Sequence, residues 1–182
     1  TLSVLQQACL YSEDPVIRFA ALTHDLGKGA TPAENWPKHH QHEERSVQLL
    51  TQLCQRYPIA NEYRELALAV AKHHGNCHRA FELKPSTIIN LFYELDVWRR
   101  PNRLPAFLLA CKADSRGRAG HEHRPYPQET LLLDIFNECK AIDTNALNSL
   151  GFTGQKFGNE LRKLRVNAAK KLLQRLHCRG AN

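Results

Sequence analysis

In one segment after another the apolar residues recur at steps of three and four. Nowhere do they alternate with polar ones over the length of a strand. That periodicity limits the chain to packed amphipathic helices, so the fold class it predicts is all-α. After Pro15, residues 16–24 place Val16, Ile17, Phe19, Ala20 and Leu22 on one side, and the proline suits a first helical turn. Residues 43–57 repeat the pattern with Val47, Leu50, Leu53, Cys54 and Tyr57. Another run carries Tyr63, Leu66, Ala67, Val70 and His74. Further helices are expected over 85–98, 104–115, 128–139, 144–150 and 156–177, and the first residues read as the tail of one more. Loops are expected at 29–41, 75–84 and 117–127, the last being the best place for a joint between subdomains.

The 182 residues are enough to bury a core without a disulfide framework. The six cysteines are never closer than 23 positions, so no C-x-x-C pair or zinc-ribbon spacing exists. Such scattered thiols fit small core fillers in a reducing, cytoplasmic compartment. Neither a membrane-spanning run nor a signal peptide is present, so no membrane partner is expected. The missing initial Met is expected to mean that the chain is a piece of something longer. Residues 154–182 hold eight basic side chains and one acid, which accounts for the whole net charge of +7. A cationic end of this kind fits a polyanion such as RNA, with Lys156, Arg162, Lys163, Arg165, Lys170 and Lys171 as the candidate contacts. It equally fits a solvated terminal helix whose cations suit its own dipole.

Nine of the ten histidines fall between residues 24 and 123, as His24; His39, His40 and His42; His73, His74 and His78; and His121 and His123. Imidazoles mixed with carboxylates suit a divalent metal. His24 and Asp25 close an apolar run in "ALTHDLGKGA". Neighbours lie about 100° apart on a helix, so both reach one ion only if it sits over the helix end. Asp114 closes a second run, "FLLACKAD", on the face of Phe107 and Cys111. A carboxylate facing a core is costly unless it is paired or ligated. Asp114 is thus the natural partner of the His24–Asp25 pair. Lys28, four residues after His24, is either a phosphate-neutralising cation or a helix-end cation serving the dipole. His39 or His42 can overlie the site from a loop. His73 and His74 precede Gly75, which reads as a helix C-cap, and each is either a ligand or a plain helix-end imidazole.

The segments "HDLGK", "HHQHE", the later "HH" and the helical "ACKAD" resemble the HD superfamily of metal-dependent phosphohydrolases. "THDLGKGATPAENWPKHHQHEERSVQLL", "HHGNCHRAFEL", "LDVWRRPNRLPAFLLACKADSRGR" and "GFTGQKFGNELRKLR" together look like the C-terminal part of bacterial CCA-adding enzymes. The resemblance covers nearly the whole chain, and its most specific pieces are "HDLGK", "W-P-x-H-x-x-H-E" and "ACxADxxGR". It implies an all-α HD-domain bundle over residues 1–120 with a basic helical extension over 121–182. It also implies a divalent metal (Mg, Mn, Co or Ni) on His24, Asp25 and Asp114, with His39 and His73 as possible additional ligands. The implied activities are phosphatase, 2′-nucleotidase and 2′,3′-cyclic phosphodiesterase, on tRNA 3′ ends and phosphate-ester nucleotides, by a monomer or homodimer. Two departures stand out. The family's first histidine lies on the helix before the dyad, and no histidine precedes His24. A nucleotidyltransferase head, with its Gly-Ser loop and D-x-D pair, is missing, so this stretch is not expected to add CCA itself.

On this reading a bound ion lowers the pKa of a water, and Lys28 steadies the phosphoryl oxygens. His42 or His74 protonates the leaving oxygen, since an unperturbed imidazole titrates near working pH. The rival reading is a tRNA-binding module in which the HD residues are a relic. A third is a free-standing nucleotidase with no affinity for tRNA.

Overall fold

The computed structural model describes residues 1–180, apart from the side chains of His177 and Arg179. Those two sequence features, the solitary histidine and the last arginine of the basic end, lie outside the described residues. Nine α-helices and no strand occur among the described residues, so the all-α expectation holds. They are α1 (Leu2–Tyr11), α2 (Pro15–Thr23), α3 (His42–Arg56), α4 (Asn61–His78), α5 (Pro85–Glu94), α6 (Arg103–Arg116), α7 (Pro127–Lys140), α8 (Asn145–Ser149) and α9 (Gly154–Gly180).

Local chemistry sets the beginning of α2. Asp14 Oδ1 accepts the Val16 amide at 2.8 Å, and Pro15 occupies a position where no amide is needed. Helices α2, α4 and α6 pack against one another at the centre. Their contact faces are lined by small, fully buried residues: Ala20 and Ala21, Ala67 and Ala71, Ala110 and Ala113. Small side chains let the axes approach closely. The bulk of the apolar burial comes from Ile88, Ile89, Phe92, Phe107, Leu108, Leu132 and Ile135, each 0% exposed. Each such side chain contributes about 1.5–3 kcal/mol. Ala169, Leu172 and Leu173 of α9 and Leu131, Leu132, Ile135 and Phe136 of α7 join this same core.

Two expected boundaries were wrong. The helix expected over 85–98 ends at Glu94. Gly75 does not end its helix, which continues to His78, and a 3-10 turn (Ala80–Glu82) follows where a loop was expected. Gly75 is instead a contact point between two helices. Glu43 of α3 lies against its backbone, accepting the Gly75 amide at 3.2 Å, and a Cβ there would collide with that carboxylate. Gly117, which does follow a helix, is pressed against the backbone of Val4 and so seats α1 on the end of α6.

Candidate metal centre

Each of the three central helices ends its small-residue stripe in a polar group. His24 follows Ala20 and Ala21 by one turn, His74 follows Val70 and Ala71, and Asp114 follows Ala110 and Cys111. Residues three and four apart share a helix face, so the stripe that brings the axes together also points these groups at one another. His24 caps α2, Asp25 leaves the helix at φ −108° and ψ 20°, and Leu26–Lys28 forms a 3-10 turn. That change of backbone direction is how two neighbours converge despite the 100° between helical positions. The turn is held from above by α3. Ser46 Oγ accepts the Gly27 amide at 2.8 Å, and Arg45 Nε donates to the Gly27 carbonyl at 3.2 Å. A Cβ at Gly27 would collide with the His42 carbonyl, so glycine alone admits the close approach that brings His42 over Asp25.

His24 Nε2 lies 3.2 Å from both Asp25 Oδ2 and Asp114 Oδ1. His42 Nε2 and His74 Nε2 lie 3.4 and 3.6 Å from Asp25 Oδ1, and 3.2 Å from each other. On the far side of each ring, Nδ1 meets a backbone carbonyl: Ala21 at 2.8 Å for His24, His39 at 2.9 Å for His42 and Val70 at 3.0 Å for His74. A carbonyl only accepts, so the first ring proton sits on Nδ1 and each ring turns its Nε2 inward, free to ligate an ion or to take a second proton. Three such nitrogens and two carboxylates this close need a cation among them. The set matches imidazole and carboxylate ligation, with backbone groups fixing the tautomers. The ligand atoms of His24, His74 and Asp114 lie within 4.8 Å of one another, as do those of Asp25, His42 and His74. His24 Nε2 and Asp25 Oδ1 are buried without a hydrogen-bond partner. The residues therefore fit a divalent ion.

The electrostatics agree. Burial opposes a charged His24, but Asp114 and then Asp25 outweigh it and raise its pKa to about 9. Burial also opposes ionisation of Asp25 and Asp114. His24 overrides it at both, aided by Lys28 at Asp25 and by His78 at Asp114, and holds them well below the usual carboxylate range. His74 goes the other way: burial, then the His24 charge, lowers it to about 4. The centre behaves as one cationic position shared between two carboxylates.

His24, Asp25, His42, His74 and Asp114 thus come together, and Lys28 pairs with Asp25 at the rim. His39 and His73 do not join them. His39 Nδ1 binds Thr31 Oγ1 at 3.0 Å, in a loop that Arg45 also ties to Thr31. His73, one position round the helix from His74, faces α5 and pairs with Glu94 at 3.1 Å. Three residues of the centre had been given no role. His78 Nε2 lies 2.6 Å from Asp114 Oδ2, Tyr126 lies behind His78, and Arg118 reaches to 4.0 Å from Asp114. The spacing His74–His78 was a usable signal, four residues on one face, but reading Gly75 as a helix stop hid it.

Of the basic side chains at the C-terminal end, Lys156, Arg162, Lys163, Lys170 and Lys171 are exposed. Arg165 is half-buried, 3.6 Å over the Trp98 ring, and donates to Tyr93 Oη at 2.9 Å. Arg162 hydrogen-bonds Asn90 and lies over Tyr93. The open groove beside α7 and α9, lined by Glu138, Ile142, Lys170, Lys171 and Arg175, shows no comparable convergence of ligands. Among the described residues no helix is long and apolar enough to cross a membrane.

The HD domain family matches residues 1–138. The chain is 47% identical over 174 residues to the Multifunctional CCA protein of Hahella chejuensis, covering 96% of this chain and 41% of that protein. It is 53% identical over 172 residues to the protein of that name from Thioalkalivibrio sulfidiphilus, covering 94% and 42%. For the Nitrosococcus oceani protein of the same name the figures are 46% over 170 residues, 93% and 42%. The chain spans about two fifths of the length of these relatives. No solved structure matches it significantly.

Proposed function

The chain belongs to the HD-domain family, and from that premise we propose that it is a metal-dependent phosphohydrolase domain acting on phosphate esters at tRNA 3′ ends. The observation that carries this reading is the convergence of three imidazole Nε2 atoms and two carboxylates, Asp114 buried and Asp25 half-buried, in two overlapping groups that share His74. His24, Asp25 and Asp114 would hold the ion, with His74 near enough to join its shell. When bound, the ion supplies an acidified water and draws charge from a phosphoryl oxygen.

The remaining roles belong to side chains at the rim. Lys28 is 37% exposed, so its ammonium can meet a phosphate that approaches from solvent. Arg118, 57% exposed, supplies a second cation on the Asp114 side. Of the two histidines expected to serve the leaving group, His42 is 24% exposed and His74 only 5%. A proton donor must reach the substrate, so His42 suits that task, with its Nε2 left off the ion and carrying the proton. His74, kept neutral, suits ligation. The substrates that fit are 2′,3′-cyclic phosphates, 2′-phosphates and simple monoesters. The relatives are named Multifunctional CCA protein, and together with the resemblance to CCA-adding enzymes this supports a reading with tRNA as the macromolecule and CCA addition and repair as the activity of a longer parent. The basic α9 then tracks the RNA backbone through Lys156, Arg162, Lys163, Lys170 and Lys171, with Arg165 partly committed to the fold.

The test is hydrolysis of a 2′,3′-cyclic nucleotide with Mg, Mn, Co or Ni. Turnover should need the ion, stop with chelator, and fall more than about a hundredfold in Asp25→Ala, a larger loss than removing a group behind a ligand. Turnover that survives in Asp25→Ala would refute the assignment. Tight tRNA binding without any turnover would favour the binding-module reading instead.

A further inference from the structure

Behind Asp114 runs a chain of partly buried hydrogen bonds that reaches α7. His78 Nε2 lies 2.6 Å from Asp114 Oδ2, His78 Nδ1 lies 2.9 Å from Tyr126 Oη, and Cys77 Sγ lies 3.3 Å from the same phenol oxygen. Gln128 Nε2 donates to the His78 carbonyl at 3.0 Å. So two residues at the start of α7 grip both the ring and the backbone of His78. Tyr126 is 8% exposed and Cys77 fully buried, so water does not substitute freely for these contacts.

The proton positions follow from the acceptors. Asp114 is ionised and only accepts, which puts a proton on His78 Nε2. Neutral His78 then has a lone pair on Nδ1, and the Tyr126 hydroxyl is the group that donates to it. Cys77 S–H can donate to the phenol oxygen in turn. With Oδ2 fixed by His78, Asp114 turns Oδ1 towards His24 Nε2.

We propose that Tyr126 is a positioning residue for the metal centre: acting through His78, it fixes the imidazole tautomer and so the orientation of the Asp114 carboxylate. The proposal rests on the reading of the centre as a metal site, but half of its test needs no metal. It also gives α7 a task beyond packing. The helix packs beside α6 and, through its capping residue, holds one ligand in register. Partners of this kind typically change metal affinity ten- to a hundredfold.

The variant is Tyr126→Phe, which keeps the ring and removes only the hydroxyl. Two readouts are needed. The first is the nitrogen-15 spectrum of the His78 ring in the metal-free protein. The Nε2–H tautomer is expected in the wild type, with a displaced Nδ1 signal in Tyr126→Phe. The opposite tautomer, or unchanged His78 signals in the variant, overturns the relay. The second readout is Mn binding by calorimetry. Tyr126→Phe should weaken it about tenfold. Tyr126→Phe combined with His78→Ala should bind no worse than His78→Ala alone. An affinity within about twofold of wild type, or losses that multiply, overturns the proposal. If the wild-type chain takes up no Mn, the metal reading itself falls, while the tautomer readout still decides whether Tyr126 sets His78.

Discussion

His24 decides more than any other residue. It is 1% exposed, it touches both carboxylates, and its Nδ1 is committed to the Ala21 carbonyl. In the metal-free protein its charge replaces the ion's. Its folded pKa of about 9 lies above the unfolded 6.5, so the native state holds a proton that the unfolded state has lost. The resulting stability is complete below pH 6.5 and disappears as pH rises through 9. A shift of this size corresponds to on the order of 3 kcal/mol. Thermal melts in chelator should therefore show a melting temperature several degrees lower at pH 9 than at pH 6.5. With saturating Mn the decline should vanish, because the ion occupies the proton's place. A metal-free melting temperature that is flat over this window would mean that His24 carries no charge there.

Among the helices, α9 combines two tasks that its charge alone does not separate. Arg165 is an anchor: it stacks on Trp98, bonds Tyr93 and thereby joins α9 to α5. Lys170 and Lys171 face solvent. Arg165→Ala should cost about 2 kcal/mol, because it removes both the cation–π interaction and the hydrogen bond. That is a fall of about 4–8 °C in a chain of this length. Lys170→Ala and Lys171→Ala should leave the melt within about 0.5 kcal/mol of wild type. Each should instead lower the salt dependence of tRNA binding by about 0.7–0.9 for every phosphate that the lysine neutralises. Melting curves and a salt titration of tRNA affinity separate the two classes. If Arg165→Ala melted like wild type, its role in docking α9 would be disproved.

Across the fold as a whole, the helices were legible in the sequence because their apolar period is unbroken. His24, Asp25 and Asp114 were legible because a polar group ending a buried stripe needs a partner. What stayed hidden was set by packing between distant segments. Gly75 looked like a helix stop, yet it is the point where Glu43 enters, and with it went the view of His78. His73 and His74 were indistinguishable in the sequence; only the packing of α4 turns one to Glu94 and the other to the centre. Tyr126 gave no signal at all, since it reaches His78 across 48 residues. His42 and His74 supply imidazoles at the centre from α3 and α4. Whether these side chains form one ion-binding point is decided by the number of Mn ions retained per folded chain, measured by metal analysis after desalting. One ion is expected in the wild type and in His73→Ala, and none in Asp114→Asn. No retained ion in the wild type, or an ion retained in Asp114→Asn, would contradict a single shared site.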